Sequence, residues 1–157
     1  MKEMTEQQAL YKLAALCSTA EHCSWEMLEK MRKWDIPDDA QARIMAYLAR
    51  EKYIDDSRYC RFFVNDKLKY NGWGRRKIEQ ALRLKHIGKD ISDPVFDAVE
   101  DEQYLEILRP MAQRKWKTIK AVSDYERSVK LIRWAMARGY SLDIIRKCVG
   151  NLSDIEL

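Results

Sequence analysis

Tyr70-Asn71-Gly72-Trp73-Gly74-Arg75-Arg76-Lys77-Ile78 is the stretch that decides how this chain is read. Two glycines around a tryptophan make the strongest turn signal in the sequence. Ahead of it, Tyr59, Phe62, Phe63, Lys67 and Leu68 recur at helical spacing behind Asp55 or Asp56, either of which can cap a helix. Behind it, Ile78, Ala81, Leu82 and Lys85 resume the same period. The stretch reads as helix, tight turn, helix. A shorter helix over Lys89–Val99 follows, with Ser92-Asp93-Pro94 as its start.

The pattern extends in both directions. Upstream, Thr5 and Gln8 form a candidate capping box for a helix to Thr19. A second helix begins at Ser24 and ends at Asp35-Ile36-Pro37, and a third spans about Asp38–Arg50. Downstream, a long helix runs from Asp101 to about Thr118. Pro110 lies inside it, which predicts a kink or a later start. Ser123 and Glu126 are a candidate capping box for the next helix, and Gly139 fits its C-cap. Ser141 opens a last helix closed by Gly150, with a short frayed tail from Asn151.

These helices fall into three sets, 5–52, 53–99 and 100–150. Ile78, Leu82, Lys85, His86 and Ile87 lie over Leu131, Ala135, Arg138, Gly139 and Tyr140, and Ser24, Leu28, Met31 and Ile36 echo them. The expectation is an all-α protein of tandem three-helix repeats in an elongated, curved array, each unit relying on its neighbour for stability. Only 5 Gly and 3 Pro in 157 residues argue against a turn-rich β fold.

Charge is patterned along the chain. Residues 50–89 carry 12 basic and 5 acidic side chains, residues 90–108 carry 7 acidic and none basic, and residues 109–147 carry 11 basic and 3 acidic. Two basic blocks around an acidic stretch suit a polyanionic target. Lys67, Lys69, Arg75, Arg76, Lys77, Arg83 and Lys85 converge on the helix-turn-helix corner, and Arg127, Lys130, Arg133, Arg138, Arg146 and Lys147 form a second group in the last set. Long flexible cations of this kind suit phosphate contacts. The asparagines and short polar side chains that read base edges are sparse, which disfavours sequence-specific recognition. Trp25, Trp34, Trp73, Trp116 and Trp134 read as packing residues.

Catalysis is disfavoured. The two histidines, His22 and His86, lie in different sets, and Asp55-Asp56 are adjacent carboxylates whose side chains diverge on a helix. Asp56 can instead cap a helix or pair with Arg58. Gly72-Trp73-Gly74 lacks the spacing and the Lys-Ser/Thr ending of a phosphate loop. Cys17, Cys23, Cys60 and Cys148 show no zinc spacing and read as free thiols. No cofactor is expected. The polar start Met1–Gln8 and the absence of a long apolar run point to the cytoplasm and away from membranes.

Several segments together resemble the RecX family of bacterial regulatory proteins. The central one is Tyr53-Ile54-Asp55-Asp56-Ser57-Arg58-Tyr59-Cys60, with Phe63-Val64, Gly72-Trp73-Gly74-Arg75-Arg76-Lys77-Ile78 and Ala81-Leu82-Arg83-Leu84-Lys85-His86-Ile87. Ser24 to Met31 is similar to the family's opening Ser-x-x-Glu-Leu-x-x-Lys-Leu, and Arg138 to Ile145 to its closing Arg-Gly-Phe segment. His86 stands where the family usually has glycine, and Met27 where the opening motif has glutamate. The resemblance implies a monomer that binds the RecA recombinase filament on single-stranded DNA, touching the DNA weakly or through the filament. It implies restraint of recombinase, ATPase and coprotease activity, in recombination and the SOS response. It maps the family's corner onto Asp55, Asp56, Arg58, Tyr59, Gly72, Arg75, Arg76 and Ile78, with Tyr59 and Ile78 packing and Arg75 and Arg76 as contact candidates. The alternative from another class is an architectural DNA-binding protein that acts without a recombinase.

Overall fold

A computed structural model describes residues 3–156, with side-chain surroundings through Gly150. Its described residues form α1 (Glu6–Thr19), α2 (Ser24–Lys33), α3 (Asp38–Arg50), α4 (Asp56–Lys69), α5 (Arg75–Leu84), α6 (Lys89–Asp97), α7 (Asp101–Thr118), α8 (Asp124–Ala137) and α9 (Leu142–Glu156). The fold is all-α, built from tandem three-helix units.

The caps explain most of the boundaries. Thr5 and Gln8 form the full capping box, the Gln8 amide donating to Thr5 Oγ1 at 3.1 Å and the Thr5 amide to Gln8 Oε1 at 2.9 Å. Asp55 accepts the Arg58 amide at the start of α4, and Ser123 Oγ accepts the Glu126 amide at the start of α8. Two ends differ from the sequence reading. Helix α6 begins at Lys89, as its span was read, but its N-cap is Gly88 and neither Ser92 nor Asp93, so Pro94 lies inside it and Ser92 is buried. The Gly88 carbonyl already accepts the Ile91 and Ser92 amides, closing the first turn before the proline is reached. The helical backbone of α9 also continues past Gly150 to Glu156, because one glycine costs a helix only about 1 kcal/mol. Helix α7 runs unbroken from Asp101 through Pro110.

The internal repeat is visible where the middle helix of each unit ends. After α2, α5 and α8 one residue turns left-handed: Asp35 at φ 55, His86 at φ 59 and Gly139 at φ 99. The next residue's amide then returns to the helix, Ile36 to the Met31 carbonyl, Ile87 to Leu82 and Tyr140 to Ala135, at 3.0–3.2 Å. The residues so placed are buried in each unit: Met27, Met31 and Ile36; Ile78, Leu82 and Ile87; Leu131, Ala135 and Tyr140. Histidine at 86 thus keeps the turn that glycine makes in the third unit. Met27, where the family's opening motif has glutamate, is a fully buried core residue.

The core is not continuous. Ala9, Leu13, Met27, Met31, Ile36, Ala40, Ile44 and Leu48 of the first unit pack as one cluster with Ile54 from the start of the second. A second cluster fuses the other two units, from Tyr59 and Leu68 through Leu82 and Phe96 to Leu108, Trp116 and Ile145, and takes in the buried Cys23 from the first unit, with Trp25 packed against it. Between the clusters lies a largely polar joint. Asp56 accepts the Ser24 amide at 2.8 Å, Arg58 pairs with Glu21 at 2.8 Å, and Lys85 pairs with Glu26 at 3.4 Å. Asp56 therefore caps α2 from the neighbouring unit and is not the ion-pair partner of Arg58. His86 stacks on Trp25 with ring centroids 5.1 Å apart.

Candidate nucleoprotein interface

The corner read as a cationic contact site is also the lock between the second and third units. The Gly74 amide donates to the Arg138 carbonyl and the Arg76 amide to the Gly139 carbonyl, both at 2.9 Å. The Tyr140 hydroxyl, fully buried, donates to the Gly72 carbonyl at 3.0 Å. Gly72 sits at φ +67, a conformation that L side chains rarely adopt. Gly74 and Gly139 are required by space as well: a Cβ on Gly74 would overlap the Gly139–Tyr140 peptide, and one on Gly139 would lie 2.5 Å from Lys77 Cβ.

This packing divides the candidate cations. Lys67 and Lys77 place their ammonium groups over the Trp73 ring at 5.3 and 4.7 Å, and Lys67 also pairs with Asp66. Arg75 pairs with Glu79 and lies over Phe96 at 4.9 Å. Lys85 belongs to the joint with Glu26. Arg127 lies over Trp116 at 5.0 Å, and Lys130 is held by Glu126 and by the Lys120 carbonyl. Arg138 covers Trp134 at 5.4 Å and donates to the Asn71 carbonyl at 3.1 Å, and Lys147 pairs with Asp101 at 2.8 Å. The side chains of Lys69, Arg76, Arg83, Arg133 and Arg146 are exposed and make no hydrogen bond or ion pair among the described residues. Five of the thirteen candidates are therefore uncommitted.

Trp116 lies in the core and Trp73 and Trp134 pack half-buried against it; Trp25 sits at the joint, and Trp34 lines the first core. Tyr59 and Ile78 pack as expected. Sequence reasoning missed a further feature, an open groove between α7 and the end of α8. Met111, Arg114, Lys115, Thr118, Trp134 and Arg138 line it. Met111, Arg114, Lys115 and Thr118 follow i, i+3, i+4, i+7 spacing, which was a readable signal for one face of α7. Which helix lay opposite was not readable.

Nothing in the site suggests bond-making chemistry. Among the described residues no group of three or more His, Cys, Asp or Glu could hold a metal ion, and no helix is long and apolar enough to cross a membrane. All four cysteines are free, and burial pushes the Cys23 and Cys60 thiols up to about 11, so at neutral pH they are protonated and unreactive.

The comparisons agree with one another. Residues 55–93 match the second three-helix domain of RecX and residues 101–149 the third. A regulatory protein RecX of Vibrio campbellii is 31% identical over 130 residues, covering 83% of this chain and 82% of that protein. One from Clostridium botulinum, strain Eklund 17B, is 28% identical over 134 residues; the chain spans 62% of that longer relative. The crystal structure of RecX from Lactobacillus salivarius superposes with a TM-score of 0.88 over 94% of this chain and 96% of that one, at 20% identity. On the two family-domain matches and the Vibrio relative, this chain belongs to the RecX family.

Proposed function

We propose that this protein acts by binding, as a monomeric regulator of the RecA recombinase. It lies along the filament that RecA forms on single-stranded DNA and restrains strand exchange, ATP turnover and coprotease activity. Family membership is the observation that carries this reading. The uncommitted cations Lys69, Arg76, Arg83, Arg133 and Arg146 support it, because a target of protein and phosphate offers them partners that the fold does not.

The division of the cations gives the test. Replacing Arg76 and Arg83 together by Glu weakens binding to RecA filaments on labelled single-stranded DNA by about tenfold or more, with the helical circular dichroism unchanged. Arg75→Glu instead lowers thermal stability, since it breaks the Glu79 pair and the contact with Phe96. Undiminished filament binding by the double variant would remove these residues from the interface.

A further inference from the structure

The first unit is held to the rest differently from the way the other two are held together. The second and third units share one core and exchange backbone hydrogen bonds at Gly74 and Arg76. Between residues up to Ile54 and those from Asp56 onward, no backbone-to-backbone hydrogen bond is made among the described residues. The chain also crosses from core to core in a short step. Ile54 is buried in the first cluster and Tyr59 in the second, and Asp55 between them is extended and exposed. Arg58 collars that crossing, donating to the Lys52 and Tyr53 carbonyls at 3.1 and 3.2 Å and to Glu21 at 2.8 Å.

Away from the crossing, the two sides meet through side chains. The left-handed turn at His86 lays its ring flat on Trp25, with 5.1 Å between centroids and 8° between planes. Gly139 makes the same turn in the third unit and has no ring to offer. Cys23 is the one buried first-unit residue in the second cluster, a plug whose Sγ lies 3.7 Å from the Lys85 carbonyl. Two polar atoms of the joint, Glu21 Oε2 and His22 Nδ1, are buried without a hydrogen bond among the described residues. His22 Nδ1 lies 3.7 Å from Glu26, too far for one. The closed joint thus carries a desolvation cost that contact with water relieves.

We propose that the His86 ring is a latch: stacked on Trp25 it pins the first unit, and released it lets that unit pivot about Asp55 as a rigid body. The other two units stay fused throughout, because their shared core and backbone bonds lie outside the moving contact. An aromatic stack shifts an equilibrium by about two- to tenfold. A contact of that size sets how far the joint stays closed without being needed for either core to fold. The latch goes beyond the function proposed above and does not depend on it.

Cys23 reports the pivot, since it is covered when the joint is closed and uncovered when its plug withdraws. The experiment is alkylation of the full chain by iodoacetamide, read cysteine by cysteine by mass spectrometry. A buried thiol reacts through the fraction of molecules that are open, so its rate follows that fraction. His86→Gly keeps the turn, as Gly139 does in the third unit, and removes the ring. It speeds alkylation at Cys23 by about two- to tenfold and leaves the rate at Cys148, buried on α9, unchanged. His86→Asn, which also tolerates the left-handed turn, has the same effect. Hydrogen exchange in α1–α3 and in α4–α9 stays as protected as before in both variants. An unchanged rate at Cys23 would overturn the latch. Equal acceleration at Cys148 would overturn it as well, since the whole chain would then be unfolding. Lost protection within α1–α3 would mean fraying in place of a rigid pivot. Acceleration by glycine but not by asparagine would trace the effect to backbone freedom, and either result would sink the proposal.

Discussion

Tyr140 bears on the fold through one atom. Its ring is fully buried and its hydroxyl donates to the Gly72 carbonyl, the acceptor at the centre of the turn that opens α5. Tyr140→Phe keeps the ring and strands that carbonyl without its partner, so unfolding stability falls by about 1–2 kcal/mol. Urea denaturation followed by circular dichroism would show it as a lower midpoint at unchanged slope; an unchanged midpoint would mean that the bond carries nothing. The sequence made Gly72-Trp73-Gly74 legible as a turn, since glycine chemistry is local. It could not show that Gly139-Tyr140 fills the space Gly74 leaves open, or that Tyr140 reaches the Gly72 carbonyl, because those contacts span more than sixty residues. The rings under Lys67 and Lys77 were hidden for the same reason: a cation reads as surface until the ring beneath it is known.

At the scale of elements, the joint between the first unit and the rest sets ion pairs and a cap bond beside the buried Cys23 and the Trp25 ring. Glu26 stands at its centre. Burial raises the cost of its charge, but the Cys23 amide and the Lys85 and His22 side chains outweigh that and hold its carboxyl below the usual carboxylate value. A lowered value means that the stabilisation is complete above about pH 4.3 and is lost as the pH falls through the folded-state value. Glu26→Ala therefore loosens the first unit by about 1 kcal/mol at neutral pH, and by progressively less as the pH falls through that range. Hydrogen exchange is the measurement. Protection in α1–α3 drops while protection in α4–α8 stays, and a uniform drop would show that the chain opens as one unit. The helices themselves were legible, because caps such as Thr5, Asp55 and Ser123 announce them within four residues. The true cap of α6 and the role of Asp56 were not. One turns on a carbonyl that accepts two amides, the other on a helix end contributed by a different unit.

For the whole molecule, the repeat pattern predicted an array, and the array was found with an uneven division. One unit has a core of its own, while two are fused across the turn before α5 and the Gly139-Tyr140 turn. Periodicity foretells that apolar faces must be buried but not against which neighbour, so the break between the cores lay beyond the sequence. The charge pattern likewise named candidate cations without separating those that hold the fold from those whose side chains stay uncommitted. Fold and family membership support a regulator of RecA, and Arg76 and Arg83 are the contacts proposed for it. The most direct test is RecA's ATP hydrolysis on single-stranded DNA with this protein added at concentrations that do not coat the free strand. The account predicts that RecA slows while an unrelated DNA-dependent ATPase on the same strand keeps its rate; equal slowing of both, or of neither, would contradict it.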